Sequence, residues 1–222
     1  MSTEARPRTQ RERRARTRAA LLDATIDCLV DLGYSGTTVQ EICRRAGLSR
    51  GAQQHHFTTK AELMAAAVEH LAGRLRDEVR GTLTAPQGPR RIGEAIDLLW
   101  RGFSGKLSTA ALELWVAART DEELRRSMLP VDRALGRSTL EIYREAAGAD
   151  LPAERLETLY WLTVNVTRGL ALDAMIGGDP ARRAHLLDEW KAIATSVALE
   201  AGRPGPRSGR PAPWKDIPAP GL

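Results

Sequence analysis

Thr38-Val39-Gln40-Glu41-Ile42-Cys43-Arg44-Arg45-Ala46-Gly47-Leu48-Ser49-Arg50-Gly51-Ala52-Gln53-Gln54-His55-His56-Phe57 is the stretch whose reading decides the fold. Thr38 followed three residues later by Glu41 is a capping-box pattern. The threonine hydroxyl accepts from the third backbone amide, and the glutamate reaches back. Val39, Ile42, Cys43 and Ala46 then recur on one face, which predicts an amphipathic helix. Gly47 ends it after barely two turns, since glycine tolerates the left-handed backbone of a helix end. Ser49 caps a second short helix that is expected to run to His56 or Phe57. Two short helices joined by a glycine turn follow the plan of a helix-turn-helix.

Working outward, a longer helix precedes this pair. Leu22, Ile26 and Leu29 recur at helical spacing between about Arg11 and Leu32, and Gly33 sits where such a helix stops. On the other side Thr58-Thr59-Lys60 reads as a turn. Thr59 and Glu62 form another capping pair at the head of a helix expected from Ala61 to about Leu83. The long first helix would serve as a packing base, the second would cross a DNA backbone, and the third would face a major groove wide enough to admit it.

The runs Gly33 to Ile42, Ala46 to Ala52, His55-His56-Phe57 and Lys60-Ala61-Glu62-Leu63 resemble, in order and spacing, the DNA-binding domain of the tetracycline-repressor (TetR) family. The resemblance implies that Thr38 and Gln40 contact phosphate and nearby bases. It puts Ser49, Arg50, Gly51 and Ala52 at the start of a recognition helix, and His55, His56 and Lys60 at phosphate. Val39, Ile42, Leu48 and Phe57 are core by spacing. One departure stands out: Gln53-Gln54 occupies positions where the family most often has a leucine-tyrosine pair. Both glutamines count among the expected DNA contacts, although the Gln53 stem would have to cover the gap left by leucine. Gln54 is expected to take part in base choice, because a glutamine amide can read adenine through N6 and N7.

Charge supports a polyanion partner for this end of the chain. Residues 1–60 hold 11 Lys/Arg against 6 Asp/Glu, whereas residues 61–202 hold 18 against 21. A basic segment on a slightly acidic body suits DNA; a membrane surface also fits on charge alone. Arg6, Arg8, Arg11, Arg13, Arg14, Arg16 and Arg18 read either as a mobile arm that follows phosphate or as a solubilising leader. Residues 1–10 and 203–222 are expected to be disordered, from their polar and Pro/Gly/Arg-rich composition.

Ala85-Pro86-Gln87-Gly88-Pro89 is the clearest internal break. Beyond it helices are expected near 90–106, 109–119, 121–147, 152–176 and 181–202, with Ser108, Asp121 and Asp179 as caps and Pro130 kinking or breaking the helix it interrupts. No stretch alternates like a strand. The fold class is therefore all-α: an N-terminal three-helix helix-turn-helix domain over residues 11–60, then a helical bundle over residues 61–202. The resemblance implies that the bundle binds a small-molecule effector and forms a homodimer through the helices near 152–176 and 181–202. Their stripes are Leu159, Leu162, Val166, Leu170 and Leu186, Leu187, Trp190, Ile193, Val197.

Trp100, Trp115 and Trp161 fall on three separate expected helices, so they are candidates for a pocket lining together with Leu99, Phe103, Arg119 and Asn165. Filling core is the alternative role for large aromatics. The two cysteines, Cys28 and Cys43, sit at apolar-periodic positions and read as buried thiols of a reducing cytoplasm.

His55-His56 does not read as a metal site. Adjacent helical residues point about 100° apart, and no Cys or carboxylate completes a set. No nucleophile elbow, phosphate-binding glycine loop or His-x-x-x-His is present, which argues against an enzyme, and no cofactor is implied. No apolar run is long enough to cross a bilayer. The expected function is sequence-specific regulation of transcription: repression at a palindromic double-stranded DNA operator, relieved by a small apolar or aromatic ligand. A ligand-independent architectural DNA protein would share the first sixty residues but leave the helical bundle without a purpose.

Overall fold

The order of helix signals along the chain is the order in which helices form. The computed structural model describes residues 9–82, 91–148 and 151–201. The expected tail over 203–222, the Ala85–Pro89 break, Arg6 and Arg8 lie outside the described residues. The helices are α1 (Gln10–Gly36), α2 (Val39–Ala46), α3 (Arg50–Gln54), α4 (Lys60–Thr82), α5 (Arg91–Phe103), α6 (Lys106–Ala118), α7 (Glu122–Ala147), α8 (Ala153–Met175) and α9 (Pro180–Ala201). Among the described residues there is no strand.

Several boundaries differ from expectation, two of them at helix starts. Thr9 and Gln10 are not part of an arm: Thr9 caps α1, its hydroxyl accepting from Glu12 N at 3.3 Å while its own N–H donates to the Glu12 carboxylate at 2.9 Å. Arg11, Arg13, Arg14, Arg16 and Arg18 therefore project from a helix. Ser108 is not a cap either. Helix α6 starts earlier, at Lys106, and Ser108 is buried within its first turn. Pro130 does not break α7, which runs through it. Buried residues on both sides, Leu124 and Met128 before it and Ile142 and Tyr143 after it, anchor the helix across the missing hydrogen bond.

Two cores divide the interior, and the division does not fall at residue 60. The first joins Leu21, Leu22 and Leu29 of α1, Ile42 of α2, Phe57, and Leu63, Met64 and Val68 of α4 to Leu107 and Leu114 of α6 and Leu124 of α7. The second joins Ile92, Ile96 and Leu99 of α5 to Tyr143 of α7, Leu156, Tyr160 and Val164 of α8 and Leu187 of α9. Cys28 and Cys43 are unpaired and buried in the first core, and burial raises both thiol pKa values.

Polar contacts reinforce the seam between the helix-turn-helix and the bundle. Gly33 adopts φ 66°, a positive-φ backbone that kinks the chain near the end of α1. That kink brings Tyr34 N to within 3.0 Å of Glu113 Oε2 on α6. The Tyr34 hydroxyl donates to Asp121 Oδ2 at 2.6 Å, and Asp121 also caps α7 by accepting from Leu124 N at 2.9 Å. Burial and the Asp121 carboxylate push the Tyr34 hydroxyl up to about 12. No described helix is long and apolar enough to cross a membrane.

Candidate nucleic-acid interface and interior cavity

The turn between α2 and α3 is built as the sequence pattern requires, with one exchange of partners. Thr38 Oγ1 accepts from Glu41 N at 3.1 Å and Ser49 Oγ accepts from Ala52 N at 3.2 Å. Gly47 is left-handed, with φ 66° and ψ 33°. The expected return bond from Glu41 to the cap is replaced. Its carboxylate is gripped by Arg44 at 2.6 Å and Arg45 at 2.9 Å, which hold it down at about 2. Arg45 also reaches Asp31 of α1 at 2.5 Å, so this cluster ties α2 to the packing base.

Helix α3 is only five residues long and ends sooner than expected. Gln53 explains the ending. Its side chain is 3% exposed, and Nε2 donates to the Phe57 carbonyl at 3.0 Å. The stem fills the slot left by the missing leucine, and the amide satisfies a carbonyl just past the helix end. Gln53 therefore faces inward, which corrects its assignment to the DNA side.

The opposite face of α3 is open. Thr38, Gln40, Ser49, Arg50, Gly51, Gln54 and His55 are exposed, and Ala52 is half-buried. Small residues at 51 and 52 leave room for close approach. His56 is half-buried, and Arg18 lies 5.4 Å from the centroid of the Phe57 ring beside it. Burial, then Arg14, Arg18 and His55, lower the His56 pKa from its ordinary 6.5. Arg14 and Arg18 of α1 thus stand beside His56, just past the end of α3.

Lys60 is placed differently from the other expected phosphate contacts. Its ammonium lies 4.1 Å from the Tyr34 ring centroid and donates to the Tyr34 carbonyl at 3.2 Å. Burial lowers its pKa. In this arrangement it fastens the start of α4 to the end of α1.

The bundle holds an apolar cavity of about 80 Å³ between α4, α5, α6 and α7. Three of the expected lining residues are there: Leu99, Phe103 and Trp115. Four are not. Trp100 packs into the second core, and Arg119 is exposed beyond the end of α6. Trp161 is exposed, its ring 5.0 Å from Tyr160, and Asn165 donates to the Trp161 carbonyl of its own helix at 2.8 Å. Sequence reasoning missed the walls supplied by α4 (Ala72, Leu75, Arg76, Val79) and α7 (Leu135, Ser138, Thr139, Ile142, Tyr143).

Comparison with known proteins gives one consistent answer. Residues 21–67 match the profile described as Bacterial regulatory proteins, tetR family. The chain is 35% identical over 200 residues to an uncharacterized HTH-type transcriptional regulator of Mycobacterium tuberculosis, covering 88% of this chain and 98% of that protein. It is 32% identical over 193 residues to the HTH-type transcriptional regulator CymR of Pseudomonas putida, covering 84% of this chain and 93% of that protein. Among solved structures, a transcriptional regulator from Rhodococcus sp. superposes with a TM-score of 0.59 at 25% identity, over 84% of this chain and 98% of that one. A TetR transcription regulator from Haloarcula marismortui shares the fold, with a TM-score of 0.60 at 21% identity over 84% and 98% of the two chains. With its helix-turn-helix, its all-helical bundle and relatives matched along nearly their whole length, the chain belongs to the tetR family of bacterial regulatory proteins and is a DNA-binding transcriptional regulator, not an enzyme.

Proposed function

We propose that this regulator is a cytoplasmic homodimeric repressor that grips a palindromic operator with α3 and lets go when a small apolar effector enters the bundle cavity. The observation that carries the reading is the two-sidedness of α3: Gln53 and Phe57 hold it from within, while Ser49, Arg50, Gly51 and Gln54 stand free outside. The proposed division of labour gives DNA contact to α1–α3 and ligand binding and dimerisation to α4–α9.

Dimerisation is supported by the split of the α8 and α9 stripes. Leu159, Leu170 and Leu187 turn into the chain's own core, whereas Leu162, Leu172, Leu186 and Ile193 are exposed. Exposed apolar residues on neighbouring helices suit a two-fold helical interface. The effector reading is supported by cavity size and position. A volume of about 80 Å³ is below that of ordinary ligand pockets, which hold about 300 Å³ or more. An occupant larger than this volume presses on the walls, and one wall is α4, which begins a few residues after α3. A shift of α4 in each subunit changes the spacing of the recognition helices, and half-sites tolerate little change in spacing.

Selection of duplex sites from a random pool tests the reading. Enrichment of a palindrome, with loss of the bound duplex on adding an effector, supports it; failure to enrich any site overturns it. Activation rather than silencing of a reporter placed behind the selected site would remove the repressor role.

His56 provides a pH-dependent readout. Its lowered pKa leaves it neutral near pH 7 in the free protein, and a DNA phosphate beside it raises that pKa. Binding then takes up a proton. Affinity should tighten as pH falls through the bound-state pKa and level off below the free-state one. Titrating affinity from about pH 8 to about pH 5 should give a steeper rise for the wild type than for His56→Gln. Equal slopes would place His56 away from phosphate.

A further inference from the structure

Among the described residues, three buried side-chain atoms have no hydrogen-bond partner: Ser108 Oγ, Tyr143 Oη and Arg168 Nε. Buried polar groups are nearly always satisfied, so orphans in and around one cavity call for an occupant. Two of the three belong to cavity walls, and Arg168 lies outside the lining, against two of its rings. Ser108 and Tyr143 line the bundle cavity. The Arg168 guanidinium lies 4.3 Å from the Trp115 ring centroid and 5.7 Å from that of Phe103, and both rings are walls of the same cavity.

The Arg168 side chain, 33% exposed, is only loosely paired. Asp132 approaches Arg168 only to 4.0 Å, the loose limit of an ion pair. Burial lowers the Arg168 pKa, with Asp132 and the Tyr160 hydroxyl opposing. The Tyr143 hydroxyl faces the Thr163 hydroxyl of α8, but the two do not meet with hydrogen-bond geometry. The remaining walls, Leu75, Leu99, Ala111 and Ile142 among them, are apolar.

We propose that the effector is an apolar carboxylate, with its hydrocarbon body in the cavity and its carboxylate on Arg168, assisted by the Ser108 and Tyr143 hydroxyls as donors. This rests on the effector reading above and adds its chemical class. A guanidinium fork fits a carboxylate with two parallel hydrogen bonds. One arginine neutralises one negative charge, so a monoanion is favoured over a dianion that would bury its second charge unpaired. A quaternary ammonium is disfavoured. Beside these rings it would meet the like charge of Arg168.

Matched probes on the full-length protein test this: straight-chain and phenyl-substituted carboxylates from butanoate to dodecanoate, their primary amides, and alkyltrimethylammonium salts of the same bodies. Binding is followed by thermal shift and tryptophan emission, and release of the selected duplex is measured in parallel. Carboxylates should bind at least about tenfold more tightly than the matching amides. Arg168→Met should abolish that preference while leaving amide affinity within about twofold. Arg168→Lys, which keeps the charge without the fork, should retain part of the preference. Ser108→Ala reports independently of any folding defect at Arg168, and should weaken carboxylates a few-fold. Preference for amide or ammonium, survival of carboxylate preference in both Arg168→Met and Ser108→Ala, or binding by no probe would overturn the inference. Duplex release by an amide or ammonium would keep the effector reading and remove the carboxylate. Carboxylates that bind through Arg168 yet leave the duplex in place would do the reverse.

Discussion

Leu114→Ala is expected to lower the free energy of unfolding by about 3–5 kcal/mol, the range for fully buried leucines truncated in a packed core. Leu114 is 0% exposed and lies on α6, outside the helix-turn-helix. Yet its core is the one built by Leu21, Leu22 and Leu29 of α1, Ile42 of α2 and Leu63 of α4. The loss should therefore appear in the DNA-binding segment. Domain stabilities are typically about 5–15 kcal/mol, so the variant would retain only part of its reserve. Urea unfolding gives the size of the effect, and amide exchange in α1 gives its location. A loss under about 1 kcal/mol, or faster exchange confined to α6, would mean that the two segments are stable separately. Because the first core spans both, an effector that strains α6 acts on the same packing that supports α1.

The local signals in the sequence were sufficient for the framework of the interface, and they failed where a tertiary partner intervened. Thr38, Gly47 and Ser49 act through atoms within a few residues of themselves, so their spacing alone placed α2 and α3. Glu41 has the same local option but also has guanidinium groups three and four residues away, and charge-assisted bonds outcompete the neutral return to the cap. Gln53 looked like a DNA-facing amide because its type is polar. Its position on the inner side, and the Phe57 carbonyl it meets, depend on how α3 packs.

The cavity shows the same limit more strongly. Tryptophans are the most visible residues in the bundle, but a void opens where facing side chains are too short to fill it. Ala72, Ala95, Gly102, Ser108, Ala111 and Ser138 are such residues, on helices brought together only by the fold. Trp161 and Arg168 lie two turns apart on α8, and nothing in their spacing says that the arginine is the one covering Trp115.

Arg50→Ala should weaken operator binding by about 1–3 kcal/mol for each bidentate pairing with guanine that it removes. In the proposed two-fold dimer the change is made twice, so the total is about 2–6 kcal/mol, or roughly 30-fold to more than a thousandfold in affinity. Three features single out this arginine. Arg44 and Arg45 are engaged with Glu41, whereas Arg50 is exposed at the first position of α3. The Ser49 cap fixes the turn from which it projects, so little ordering is left to do on binding. Gln54 follows four residues later on the same exposed face, in position to read a neighbouring base.

Ionic-strength dependence separates the possible partners of Arg50. If it reads a guanine edge, Arg50→Ala should lose affinity with little change in the salt slope, and the effect should vanish on operators whose guanine is replaced symmetrically. If it merely neutralises phosphate, the slope should become shallower by about one unit per subunit, and the weakening should be the same on every sequence. Arg50→Lys sharpens the distinction, because a lysine can replace a charge on phosphate but not a planar fork against guanine O6 and N7. Equal weakening by Arg50→Ala on the selected and the substituted operators would move base reading away from Arg50 and onto the other exposed polar side chains of this face, Gln54 and Gln40 among them.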